Sequence, residues 1–261
     1  MDPENLRLER ADGVLTITLD QPGKKNALTR PMFLGLRDVF RELIADPDAT
    51  RVVVITGAGG EFCSGADLSG GDDGVVPMHQ LTWMRQVGEA CAAFHAVPQP
   101  VIAKVVGVAA GAGANLALGC DLVVAADTAR FSEIFSRRGL SIDFGGSWLL
   151  PRLVGLHKAK ELALFADIVS AADAAAMGLV NRVLPVDEVD AFVDDWARRL
   201  AAGPPLALSM TKKLLNASSA ATIEQALENE AMAQTVNFGT ADTLEAMTAF
   251  IEKRDPVFRG R

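Results

Sequence analysis

Apolar and polar side chains alternate over part of Val14 to Leu19, as they do in a half-buried strand. Arg51 to Thr56, Val101 to Val106 and Leu122 to Ala126 are short apolar runs rich in β-branched residues, which suits strands covered on both faces. Helical spacing lies between them. Phe33, Leu36, Phe40, Leu43 and Ile44 share a helix face after Thr29, a predicted N-cap with Pro31 in the first turn. Met78 to Ala96 forms a second predicted helix. Strands alternating with helices predict an α/β body over residues 1–200. Val189, Phe192, Val193, Trp196, Ala197 and Leu200 mark an amphipathic helix at its end. Gly203, Pro204 and Pro205 then interrupt the chain. Leu206 to Leu215, Thr222 to Thr235 and Ala241 to Lys253 read as three more helices. This 201–261 region is too small for a core of its own, so it is expected to pack on the body or on a partner subunit.

Composition narrows the chemistry. A net charge of −8 over 261 residues argues against general affinity for nucleic acid or anionic membranes. Cys63, Cys91 and Cys120 are odd in number and lack CxxC spacing, so reduced, mostly buried thiols are expected rather than disulfides or zinc. Met1 to Arg10 carries five charged residues and no apolar stretch, so no signal peptide is visible, and no apolar run reaches membrane-spanning length. A cytoplasmic protein is expected. With no tyrosine, a Tyr-x-x-x-Lys dehydrogenase is impossible, and only His79, His95 and His157 could serve a histidine mechanism.

Thr56-Gly57-Ala58-Gly59-Gly60 follows a strand as a dinucleotide turn does, but Glu61 and Cys63 stand where that pattern wants glycine. No Gly-x-Ser-x-Gly elbow occurs, and His95 lies on an apolar helical stretch as a satisfied core or surface histidine would. Three other segments carry more: Lys24-Lys25-Asn26-Ala27-Leu28-Thr29; Phe62-Cys63-Ser64-Gly65-Ala66-Asp67-Leu68; and Gly107 to Leu116, running on to Gly119-Cys120-Asp121. The second and third are small-residue turns at strand ends, the third opening a helix. Their backbone N–H groups are free to donate. Two converging donors make an oxyanion hole for a thioester enolate; alternatively, Gly111 and Gly113 only permit close helix packing.

The order and spacing of these segments resemble the crotonase, or enoyl-CoA hydratase/isomerase, family. Leu150-Pro151-Arg152-Leu153-Val154-Gly155, Ala174 to Asn181 and Phe250 to Phe258 extend the resemblance over nearly the whole chain. It implies a spiral of β-β-α turns whose C-terminal helices mediate trimerisation, two trimers commonly stacking as a hexamer. It implies an acyl-CoA thioester as substrate, with no tightly bound cofactor and no metal. By resemblance Ala66 and Ala112 present the oxyanion-hole N–H groups; many relatives have glycine at the second place. Lys24, Lys25 and Ala27 would lie near the coenzyme A pantetheine and phosphates, with Asp67 and Leu68 near the adenine. The resemblance also places Phe250 and Lys253 where they could reach coenzyme A, within the subunit or across a subunit boundary.

Hydratases of this family hold a water between two glutamates. Counting without gaps, those places are occupied here by Asn115 and Phe135. Glu133, two residues from the second place, would point about 200° away on a helix and reads as a surface or structural glutamate. Asp143 sits where isomerase-type and ring-processing relatives carry an acidic residue; its plainer alternative is a cap for a helix beginning near Gly145. The leading expectation is an enoyl-CoA isomerase using Asp143 as acid and base. Alternatives are an enoyl-CoA hydratase and a non-catalytic acyl-CoA binder.

Overall fold

The computed structural model describes residues 4–69 and 78–261. Its strands are β1 (Leu6–Ala11), β2 (Val14–Leu19), β3 (Val52–Gly57), β4 (Val101–Val105), β5 (Val108–Ala110), β6 (Leu122–Ala126), β7 (Arg130–Ser132), β8 (Val169–Ser170) and β9 (Arg182–Leu184). Its α-helices are α1 (Arg30–Ala45), α2 (Gln80–His95), α3 (Ala112–Leu118), α4 (Gly146–Phe165), α5 (Ala171–Ala176), α6 (Val189–Ala201), α7 (Pro205–Ala217), α8 (Ile223–Phe238) and α9 (Ala241–Glu252). Thr29 caps α1 by accepting from Met32 N–H, as predicted.

One sheet runs β1-β2-β3-β4-β6-β9, antiparallel only at β1–β2. A second, smaller layer is built from β5, β7 and β8, extended by single bridges from Leu28 to Ala66 and from Cys63 to Ala109. Each turn of the chain therefore lays one strand in the large sheet, one short piece in the small layer, and then a helix. The turns are β2, Leu28, α1; β3, Cys63–Ala66, α2; β4, β5, α3; and β6, β7, α4. This is the β-β-α spiral.

Burial explains why the strand sequences read as continuous apolar runs. Along β3, Val53 and Ile55 join the core beneath α1 and α2, whereas Val52 and Val54 join a second cluster beneath α6. Successive side chains point to opposite faces, and both faces are covered. Lys104 on β4 pairs with Asp190 on α6 at 2.6 Å. Lys212 on α7 pairs with Asp121 at 2.7 Å and donates to the Gln99 carbonyl at 2.9 Å, tying the later helices to the body. On α8 and α9, Ile223, Leu227, Val236, Met247, Phe250 and Ile251 are exposed.

The spiral forces close backbone contact where α3 meets the preceding turn. A Cβ on Gly113 would stand 2.5 Å from the Cys63 carbonyl oxygen, which is backbone and cannot swing away. Gly113→Ala should therefore destabilise the fold by about 1–3 kcal/mol. A denaturant midpoint equal to that of the parent would contradict this packing.

Candidate active site

The lysine corner is assembled by Asn26. Its Nδ2 donates to the Ala58 and Glu61 carbonyls at 2.9 and 2.7 Å, and its Oδ1 accepts from Gln21 N–H at 3.1 Å. Lys25 and Asn26 both hold positive φ, at 48° and 55°, so the turn is sharp and the lysines project outward. Lys24 Nζ pairs with Asp67 at 3.1 Å, and Lys25 Nζ pairs with Glu61 at 2.8 Å. Bonds from Ser69, then from Lys24 and Gln21, hold the Asp67 carboxyl well below the usual carboxylate range. Burial pushes Glu61 up, but Lys25 and the Val108 N–H outweigh it and its pKa is lowered. Lys24 and Asp67 thus share one corner, with Ala27 buried behind it and Leu68 exposed beside it.

The two small-residue turns converge through backbone pairing. Leu28 donates to the Gly65 carbonyl and accepts from Asp67 N–H, at 2.7 and 2.9 Å. Ala66, between those residues, therefore turns its own N–H away from Leu28. That is the side on which Cys63 N–H donates to Val108 and Ala110 N–H donates to Cys63. Gly65 makes the approach possible, with φ 105° and a Cβ position only 3.9 Å from the Ala112 nitrogen. Ala112 opens α3, where an N–H has no acceptor within the helix. Among the described residues no backbone carbonyl takes either N–H. Ala66 is exposed and Ala112 buried. Both donors are therefore unpaired, at adjoining turns.

Two carboxyl groups lie on the next turn of the spiral. Asp143 leaves Oδ1 buried without a partner, and burial raises its pKa to about 6. It is not the cap of α4. That place belongs to Gly145, at φ 80°, and no side chain caps the helix; only the Asp143 carbonyl takes part, accepting from Gly146 N–H. Glu133 loses the surface half of its surface-or-structural reading. It is 4% exposed, not a surface residue, and it precedes a 3-10 turn (Ile134–Arg138) rather than sitting within an α-helix. The 200° rotation assumed from helical geometry therefore does not apply. Burial, with the Asp143 charge adding to it, raises the Glu133 pKa to about 7, against the hydrogen bond from Asn115.

Asn115 joins the two. Its Nδ2 donates to the Asp143 carbonyl at 2.9 Å and to Glu133 Oε2 at 3.3 Å. A Cβ on Gly146 would stand 2.4 Å from that Nδ2, so only glycine lets α4 come this close. Phe135 is buried, its ring 3.6 Å from the Cβ position of Gly111.

Beside Asp143 is a cavity of about 350 Å³, lined among others by Met84, Val87, Cys91, His95, Phe144 and Trp148. Its walls come from α2 and the start of α4, while Arg137 pairs with Asp167. His95 is not a satisfied histidine. Its Nε2 is buried without a partner, and burial followed by the Lys212 charge lowers its pKa. Two larger grooves, about 800 and 820 Å³, open beneath α7, but neither touches Ala66, Ala112, Glu133 or Asp143. We place the site by its unpaired donors and desolvated carboxyls, which size alone does not locate.

Cys63, Cys91 and Cys120 are free and buried. Burial pushes the Cys63 thiol up to about 12 and Cys91 to about 11, so neither is a thiolate near neutral pH. Phe250 and Lys253 lie on and just after α9, Phe250 being 85% exposed. No ion pair or hydrogen bond among the described residues draws either toward the lysine corner. No group of three or more His, Cys, Asp or Glu residues suited to a metal occurs among the described residues, and no helix there is long and apolar enough to cross a membrane.

A family model described as enoyl-CoA hydratase/isomerase matches residues 9–261. The chain belongs to that family, whose members act on coenzyme A thioesters. It is 40% identical to a Rhodobacter capsulatus protein named "Probable enoyl-CoA hydratase", over 100% of both chains. It is 36% identical to the 1,2-epoxyphenylacetyl-CoA isomerase of Escherichia coli, over 95% of this chain and 96% of that one. The solved structure of an enoyl-CoA hydratase from Bacillus anthracis superposes with a TM-score of 0.92 at 30% identity, covering 99% of this chain and 100% of that one.

The raised carboxyls fix how stability responds to pH. Both groups hold protons in the native state at pH values where the unfolded chain has released them. Their burial costs least below about pH 4, and stability falls as the pH rises from there toward 7. Asp143→Asn should therefore melt above the parent at pH 8, with the gap closing by pH 4. Melting curves that stay parallel across that range would contradict the burial of this charge.

Proposed function

We propose that this member of the family is an enoyl-CoA isomerase, with Asp143 as the group that moves the proton. The observation that carries the reading is the unpartnered, desolvated Asp143 carboxyl, in a chain that has Asn115 and Phe135 at the two places where water-adding relatives carry glutamates. An acid with a pKa of about 6 exchanges a proton readily near neutrality. In the forward step its carboxylate takes a proton from C2 of a 3-enoyl thioester. The electron pair moves into the thioester, and the resulting dienolate oxygen is held by the N–H groups of Ala66 and Ala112. The same carboxyl returns the proton to C4 as the carbonyl re-forms, leaving a conjugated 2-enoyl thioester.

In this reading Lys24, Lys25, Ala27, Asp67 and Leu68 meet coenzyme A. The ion pairs of Lys24 and Lys25 open to let their charges face its phosphates. Phe250 and Lys253 meet it from a neighbouring subunit of a homotrimer or a hexamer. The exposed apolar residues of α8 and α9 support such an assembly. The chain then divides into a body, 1–200, that holds the thioester and a helical region, 201–261, that assembles it.

A hydratase is the second reading. It is favoured by Glu133, a second buried carboxyl in the field of Asp143, and by the names of most relatives. Parent and Asp143→Asn proteins given 3-enoyl-CoA and 2-enoyl-CoA separate the readings. Isomerisation should fall by about 10²–10⁴ in Asp143→Asn with acyl-CoA binding retained. Water addition that survives the change would sink the isomerase assignment, and tight binding of both substrates without turnover would make the protein a binder. Ala112→Pro removes one donor at a helix position that tolerates proline, and turnover should fall on the order of 100-fold. Unchanged turnover in the folded variant would refute this placement of the oxyanion hole.

A further inference from the structure

Arg30, the first residue of α1, lies two residues beyond Leu28, whose backbone pairs with both neighbours of Ala66. Its Nε and Nη2 are buried and have no acceptor. Its guanidinium rests over the ring of Trp83 on α2, 5.0 Å from the centroid. Trp83 meets Phe33 edge-on at 5.7 Å, and Phe33 meets Phe144 at 5.8 Å. A chain of ring contacts thus links Phe144, the residue after Asp143, to Arg30. Gln86, one turn along α2 from Trp83, also leaves its amide oxygen buried without a donor.

Buried guanidinium N–H groups without acceptors are costly, and a native structure keeps them where something answers them. Stacking on Trp83 holds the planar fork in one orientation but supplies no acceptor. The group that fits two parallel N–H donors on a cation is a carboxylate. We infer that Arg30 receives a carboxylate at the far end of the substrate's acyl group, so that the preferred substrates are ω-carboxyacyl-CoA thioesters whose chain lies along the Phe144–Phe33–Trp83 wall. This rests on the acyl-CoA site proposed above but not on the reaction assigned to it, because it is read out by binding alone.

The test is calorimetric. Glutaryl-, adipyl- and suberyl-CoA are each compared with the neutral thioester of equal length, pentanoyl-, hexanoyl- and octanoyl-CoA, and with free coenzyme A. The parent protein should prefer the carboxylated member by tenfold or more at one length at least. Arg30→Met, which keeps the apolar stem over Trp83, should shift that preference ratio at least tenfold toward the neutral thioester, and Arg30→Lys should recover only part of it. No preference at any length in the parent overturns the inference. So does an affinity for free coenzyme A that falls as far as that for the thioesters, since the anion would then be a phosphate. If Arg30→Met does not fold, a ratio in Arg30→Lys identical to that of the parent overturns it equally. Loss of isomerase turnover with the preference intact would count against the reaction and leave this site standing.

Discussion

The site hangs on one hydrogen-bond fork. Asn115 Nδ2 donates to the Asp143 carbonyl and to Glu133 Oε2, binding the start of α4 and the 3-10 turn to α3. Because α3 also begins at Ala112, the same short helix sets an unpaired backbone donor and the position of two carboxyls. An amide can do this where a carboxylate could not. A glutamate at this place would have no N–H for the Asp143 carbonyl and would add a third negative charge beside two desolvated acids. The requirement for glycine at Gly146 follows from the same contact.

Around that fork the spiral places its functional groups at successive short pieces of the small layer. Leu28 orients the 65–67 turn, the Cys63 segment orients the β5–α3 turn, and β7 leads into Glu133. Each is fixed by backbone pairing rather than by long side chains, so the donors are set before any ligand arrives. The charged corner at Lys24 and Lys25 differs. Its lysines are 44% and 57% exposed and rest on Asp67 and Glu61, partners that an incoming phosphate can replace at small cost.

Much of this was legible in the chain. The apolar runs at Val14, Val52, Val101 and Leu122 became strands of one sheet, because fully covered strands leave a contiguous β-branched signature. Thr29 and Pro31 marked the start of α1, and the small-residue turns located the unpaired N–H groups. What escaped depended on geometry that no periodicity encodes. The direction of Glu133 was misjudged because a 3-10 turn was read as α-helix, so a rotation of about 200° between it and Phe135 was assumed where both side chains are buried. Asp143 could be a cap or a buried acid by sequence; only the positive φ of Gly145 decides between them. The wall of Arg30, Trp83, Phe33 and Phe144 joins three distant segments, and no local motif announces it.

The central claim is that one carboxyl, desolvated and without a partner, carries the proton from C2 to C4. The direct measurement uses a 3-enoyl-CoA deuterated at C2 and turned over in ordinary water, with the product's label located by mass spectrometry. A single carrier shielded from solvent predicts deuterium delivered to C4 in a substantial share of product molecules. Complete exchange of the abstracted deuteron with water from the first turnover, with C2 keeping its one remaining deuterium and C4 carrying only protium, would contradict it.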